Sequence, residues 1–280
     1  MTDATIAPTA GEMTTKAAPQ GRPIWYELMT PDPAIVTPFY RATLGWEIPE
    51  EGMSNPNGSE YRMIGRADGG NSGGVLTLSP TMIEGGAKPG WLPYFYVDDV
   101  DGAVGKVWEL GGRVWMDAST IGDVGRMAML GDPQGAPFYL MKPTPPPGRP
   151  DVQSDVFDPN KPGHCRWNEL NTTDAAGAWQ FYGGLFGWTK GMAMPMGEMG
   201  DYQFIEAGDL TIGAVNPMQE PPSFWLPIFG VADIEAARAA VEANGGTITT
   251  DLQEIPGGEF ALNVDDPSGA AVAFVGPKGA

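Results

Sequence analysis

From residue 24 to residue 30 the chain alternates, placing Ile24, Tyr26 and Leu28 on one face of a strand and Trp25, Glu27 and Met29 on the other. Asp32-Pro33 predicts a helix start, because the carboxylate can cap free N–H groups and Pro is tolerated at the first helical position. The helix is expected to reach Leu44 and stop at Gly45, with a kink or late start caused by Pro38. Short strands at 46–48, 60–65 and 74–78 complete a βαβββ unit. A second unit begins with a strand over 91–97 and a helix over 99–110, whose Val100, Ala103, Val104 and Val107 share a stripe. Gly111-Gly112 ends that helix, and strands at 113–118, 126–130 and 136–141 follow, the last after the turn Asp132-Pro133-Gln134-Gly135.

The whole pattern then returns. Phe39-Tyr40 and Gly45-Trp46 recur as Phe181-Tyr182 and Gly187-Trp188, and the same offset carries Trp25 to Trp167, Glu27 to Glu169 and Asp32 to Asp174. Further on, residues 91–142 align with 225–276 at a shorter offset, so eight residues have been gained by a loop between Glu51 and Gly90. The chain is a tandem duplication of four βαβββ units. Residues 1–21 form a flexible tail poor in aromatics, 22–142 a first domain, 143–162 a semi-rigid Pro-rich linker and 163–280 a second domain. Each half is expected to bury its own core.

Composition narrows the partners. Sixteen Lys and Arg against thirty-five Asp and Glu give a formal charge of −19, which repels phosphate backbones and anionic lipid, so neither nucleic acid nor membrane is expected. One Cys and no apolar leader point to a cytoplasmic protein, monomer or homodimer.

The strand-Asp-helix-Phe-Tyr…Gly-Trp pattern, the segments Val97-Asp98-Asp99-Val100 and Val231-Ala232-Asp233-Ile234, and the turns Asp132-Pro133-Gln134-Gly135 and Asp266-Pro267-Ser268-Gly269 together resemble the vicinal oxygen chelate superfamily. That family includes glyoxalase I, extradiol dioxygenases and bleomycin-binding proteins. The resemblance implies an α+β fold in which the units pair into two glyoxalase-like half-open β-barrels. It also implies a metal held by His and Glu on the inward faces of first and last strands. Counting from the helix-start aspartates, those positions hold Trp25 and Leu92 in the first half and Trp167 and Leu226 in the second. The last-strand position holds Tyr139 or Ala273. None is a usual ligand, so no metal and no cofactor is expected.

The cup-facing set is then Trp25, Glu27, Met29, Leu92, Tyr94, Tyr96 and Tyr139 in the first half, and Trp167, Glu169 and Asn171 in the second. Such a surface suits an aromatic or apolar small molecule in one or both cups. Leu226, Ile228 and Gly230 replace Leu92, Tyr94 and Tyr96, so the cups should differ in shape. The carboxylates Glu27 and Glu169 are candidates for a general base, a ligand acceptor or a structural partner. An enzyme of lyase, isomerase, dioxygenase or hydroxylase type, using either Glu or a displaced metal site, is the competing reading. An interaction module with cups filled by their own side chains is the third.

Two further features carry less. His164-Cys165 suggests a nucleophile, but neighbours on a strand point to opposite faces. The Met-rich segment 192–199 is expected to be a loop forming an adaptable rim rather than a soft-metal site.

Overall fold

The computed structural model describes residues 20–55, 58–148 and 152–279. Most of the expected tail, residues 1–19, lies outside them. In the first half the elements are β1 (Pro23–Thr30), α1 (Pro33–Leu44), β2 (Met53–Ser54), β3 (Glu60–Gly65), β4 (Asn71–Thr77), α2 (Pro80–Glu84), β5 (Gly90–Tyr96), α3 (Val100–Glu109), β6 (Arg113–Ile121), β7 (Gly125–Gly131) and β8 (Pro137–Pro143). The second half repeats them as β9 (Cys165–Thr172), α4 (Ala175–Phe186), β10 (Thr189–Pro195), β11 (Asp201–Ala207), β12 (Leu210–Pro217), β13 (Phe224–Gly230), α5 (Ile234–Ala243), β14 (Thr247–Ile248), β15 (Gln253–Glu254), β16 (Phe260–Asp265) and β17 (Ala271–Gly276).

Each half forms one curled sheet. The orders are β2-β3-β4-β1-β5-β8-β7-β6 and β10-β11-β12-β9-β13-β17-β16-β14, with β15 beside β16. The first strands of paired units, β1 with β5 and β9 with β13, run antiparallel at the centre. The fold is α+β, with two half-barrels of two units each.

Local sequence explains the frame. Asp32, Asp99, Asp174 and Asp233 each cap a helix by accepting backbone N–H groups. Gly45 and Gly187 close α1 and α4 at φ 68° and 73°, a left-handed conformation that only Gly adopts without strain. Pro38 lies inside α1, which nevertheless begins at Pro33, so there is no late start.

The halves do not bury separate cores on their helical sides. One core joins Phe39, Tyr40 and Trp46 of the first unit to Phe229, Ile234 and Phe274 of the fourth; the other joins Phe95, Leu130 and Phe138 of the second to Phe181, Tyr182 and Trp188 of the third. Trp46 meets Phe229 edge-on at 4.8 Å, and Trp188 meets Phe95 at 5.2 Å. Burying a large apolar side chain contributes about 1.5–3 kcal/mol, so the duplicated Phe-Tyr…Gly-Trp stretch holds one half against the other. Helix α1 packs against α5, and α3 against α4, across the two halves.

Two expectations need correction. The segment 192–199 is not all loop: Ala193, Met194 and Pro195 pair with Gln203, Tyr202 and Asp201, and β10 is an edge strand, where Pro is tolerated. The gained residues are also not featureless. Twelve residues separate β4 from β5 but six separate β12 from β13, and the extra length contains α2. Met82 and Ala87 of that insertion pack against the first cup.

Candidate functional site

In β1 the alternation directs Tyr26 and Leu28 into the shared core and Trp25 and Met29 onto the cup. Glu27 lies between those two on the cup side, opposite Leu92 in β5 and Gly74 in β4. Tyr94 donates its hydroxyl hydrogen to Glu27 Oε2 at 2.7 Å, and its ring stacks on Tyr139 with centroids 4.1 Å apart and planes 13° apart. Trp25 Nε1 donates to Tyr61 Oη at 2.7 Å. Gly74 makes this possible, since a Cβ there would sit 2.1 Å from Tyr61 Oη.

Glu27 is 3% exposed, and its Oε1 has no hydrogen-bond partner. Burial pushes its carboxyl up to about 7, although the Tyr94 and Tyr139 hydroxyls favour the charged form. Burial and the nearby Glu27 charge raise the Tyr61, Tyr94 and Tyr139 hydroxyls well above the usual range, so they remain donors. Met29, Leu92, Met127 and Met141 close the floor, and Met82, Met116 and Met129 pack around them. These side chains line the first cup closely. Tyr96 stands at the rim, with its hydroxyl on Asp98 Oδ1 at 2.5 Å.

The second cup keeps the Trp-Tyr-Glu arrangement and changes the rest. Trp167 Nε1 donates to Tyr202 Oη at 2.8 Å, and Tyr202 donates to Glu169 Oε2 at 2.9 Å. Glu169 Oε1 accepts from Asn171 Nδ2 at 3.0 Å and Asn216 Nδ2 at 3.3 Å. By the strand register, Asn171 stands where the first cup has Met29, Ile228 replaces Tyr94 and Ala273 replaces Tyr139. Trp167, Glu169, Tyr202 and Asn216 are half-buried, so this cup is wetter than the first.

The metal that the fold implies is poorly served here. The register adds Gly74 and Ala214 to the ligand positions already counted, opposite Glu27 and Glu169 in the parallel strands. Of those positions only Tyr139 bears a donor atom, and its hydroxyl is held protonated. These residues do not fit a divalent cation.

Among the described residues, one His, Cys, Asp or Glu group is close enough to share an ion: Asp68, Asp155 and His164. It lies outside both cups, and Arg66 already binds Asp68 at 3.1 Å and Asp155 at 2.6 Å. A second cation beside that guanidinium would be repelled. His164 Nδ1 lies 3.0 Å from the Pro162 carbonyl, whereas the buried Cys165 turns to the Trp167 carbonyl and is pushed up to about 12 by burial. The pair does not form a nucleophile. A hollow of about 430 Å³ beside this group, lined by Arg22, Ser154, Asp155 and Phe157, is likewise remote from the two glutamates.

The residues missed in the sequence are Tyr61, Gly74, Tyr202 and Asn216. The repeat contained a signal for two of them, since Tyr61 and Tyr202 occupy matching positions in β3 and β11.

The profile of the Glyoxalase/Bleomycin resistance protein/Dioxygenase superfamily matches residues 22–140 and 161–274. The chain belongs to this superfamily. CFP32 of Mycobacterium tuberculosis, which carries a provisional glyoxylase name, is 33% identical over 262 residues, 92% of this chain and 95% of its own. The anthracycline biosynthesis protein DnrV of Streptomyces peucetius is 30% identical over 279 residues, covering 93% and 94%. Among solved structures, the Mn(II)-bound glyoxalase from Novosphingobium aromaticivorans superposes with a TM-score of 0.63 at 12% identity, covering 92% of this chain and 82% of the other. The 2,3-dioxygenase LapB from Pseudomonas sp. KL28 gives 0.61 at 15%, covering 94% of each. At such identities the structural likeness concerns the superfamily fold alone.

Proposed function

We propose that the protein binds a small aromatic or apolar molecule in its first cup, anchored by Glu27 rather than by a metal at the fold's usual positions. The observation that carries this reading is Glu27 Oε1, a buried acceptor with no partner. An unsatisfied buried polar atom costs about 1–3 kcal/mol, and a ligand hydroxyl or N–H would recover it. The surroundings suit such a guest: thioethers re-pack readily around a planar molecule, and Met82 of α2 packs against the cup from the insertion. The relative named for anthracycline biosynthesis supports an organic small molecule as the ligand class.

A second reading follows from one observation. A carboxyl near 7 is suited to accept a proton at neutral pH, so a bound C–H or O–H acid could be deprotonated by Glu27.

Calorimetric titration with 1-naphthol and its methyl ether tests the anchor. The phenol donates a hydrogen bond that the ether cannot, and is expected to bind at least about tenfold more tightly, as 1.4 kcal/mol requires. Glu27→Gln presents an amide N–H to the ligand instead and should reverse the preference. Equal binding of both compounds, or binding of neither, contradicts the assignment and favours the interaction module.

A further inference from the structure

We propose that the second cup is a separate site for a small organic ammonium ion. Among the described residues Glu169 has three hydrogen-bond donors, Tyr202, Asn171 and Asn216, all neutral, and no Lys, Arg or His in salt-bridge range. The ion pairs of this half, Arg166 with Glu259 at 2.8 Å, Arg238 with Glu242 at 3.9 Å and Lys278 with Glu235 at 3.4 Å, all leave out the central carboxylate.

The walls around that carboxylate are aromatic. Trp167 and Phe204 meet at 4.9 Å and 76°, and Tyr202 and Phe204 at 6.1 Å and 84°. These rings share a face of the sheet with the acid, and a ring face left open there can attract a cation while the carboxylate supplies charge. Asn216 Oδ1 has no partner among the described residues and can accept from an N–H or hydroxyl of the guest.

Space and field agree with this chemistry. Ala273 stands where the first cup has Tyr139, and Trp167, Glu169, Tyr202 and Asn216 are half-buried rather than sealed. The formal charge of −19 raises the local concentration of cations and lowers that of anions. The duplication has therefore produced two different cups, one dry and rich in thioethers, the other wet and lined with amides around an aromatic corner. The second does not depend on Glu27 or on what the first cup binds.

Choline and its neutral carbon isostere 3,3-dimethylbutan-1-ol are the probes, followed by NMR of the tryptophan indole N–H resonances, with Trp167→Phe assigning the one at Trp167. Choline is expected to shift that resonance, to bind at least about tenfold more tightly than the isostere, and to weaken with added salt. Glu169→Gln keeps the shape and the Tyr202 hydrogen bond, so it should retain the fold while losing about tenfold in choline affinity; Glu27→Gln should leave choline binding unchanged. Equal binding of choline and isostere, no shift at Trp167, or unchanged affinity in folded Glu169→Gln overturns the proposal. Loss of naphthol binding with choline binding intact would sink the first-cup reading alone.

Discussion

Tyr40 donates its hydroxyl hydrogen to Oδ2 of Asp266, 2.8 Å away in the other half of the chain. The repeat returns the contact: Tyr182 donates to Asp132 Oδ2 at 3.1 Å. Trp91 and Trp225 each donate an indole N–H to the same tyrosine oxygens, at 2.9 and 3.1 Å. The Oδ1 atoms of Asp132 and Asp266 meanwhile hold their own turns through the backbone N–H of Ala136 and Ala270. The Phe-Tyr helix motif and the Asp-Pro turn are thus two ends of one hydrogen bond between halves.

Tyr40→Phe leaves Asp266 and Trp91 each short of a buried partner, and is expected to cost about 1–3 kcal/mol. Tyr182→Phe should cost a similar amount, and the double variant should be additive because the two sites share no residue. Thermal or denaturant unfolding measures it; a neutral Tyr40→Phe would show that the contact contributes nothing to joining the halves.

Gly74→Ala drives a methyl group into the Tyr61 ring and should break the Trp25 to Tyr61 hydrogen bond. A loss of about 1–3 kcal/mol is expected, as for overpacking. The register counterpart in the second half is already Ala214, so Ala214→Gly should cost less than about 1 kcal/mol. Comparable losses at both positions would contradict the steric role of Gly74.

Methionine oxidation reports whether the first cup is sealed. Met53 and Met192 are 61% and 63% exposed, whereas Met29, Met127 and Met141 are 6–8% exposed. Brief peroxide treatment and peptide mass spectrometry should find the first two oxidised well before the other three, and denaturant should erase the difference. Equal oxidation in the native protein would mean an open cup.

Glu27 makes stability fall as pH rises. The unfolded carboxyl titrates near 4.3, while the folded one is raised to about 7, so between those values the native state binds the extra proton. Stability is highest below the lower value, declines through the window by something of the order of 3 kcal/mol, and is level above it. Glu27→Gln should remove the decline, its advantage over wild type growing from about pH 5 to about pH 7. A difference that does not vary with pH would contradict a raised carboxyl.

The alternation from Trp25 to Thr30, the capping aspartates and the closing glycines were legible because each is a local rule, and they position the cup-facing set in β1; Ile24, expected beside Tyr26 and Leu28, joins the cup cluster instead, because the β1–β5 register shifts between Pro23 and Trp25. What packs against what was not. Tyr26 and Asn168 occupy the same position of the repeat, yet nothing in their spacing shows that they touch, as they do through a 2.8 Å hydrogen bond. An apolar face requires burial without naming its partner, so cores shared across the halves could not be read from periodicity. Tyr61 was missed for a related reason: it reaches Trp25 only because Gly74, in a third strand, leaves room.

The most direct measurement is the titration of Glu27 itself, by NMR of protein labelled with 13C at glutamate carboxyls, with Glu27→Gln assigning the resonance. The free protein should show a midpoint of about 7. Saturating 1-naphthol should lower it, because a hydrogen bond donated to Oε1 favours the carboxylate. A midpoint in the ordinary range near 4.3, unmoved by naphthol, would contradict a buried anchor with a free Oε1 in the first cup.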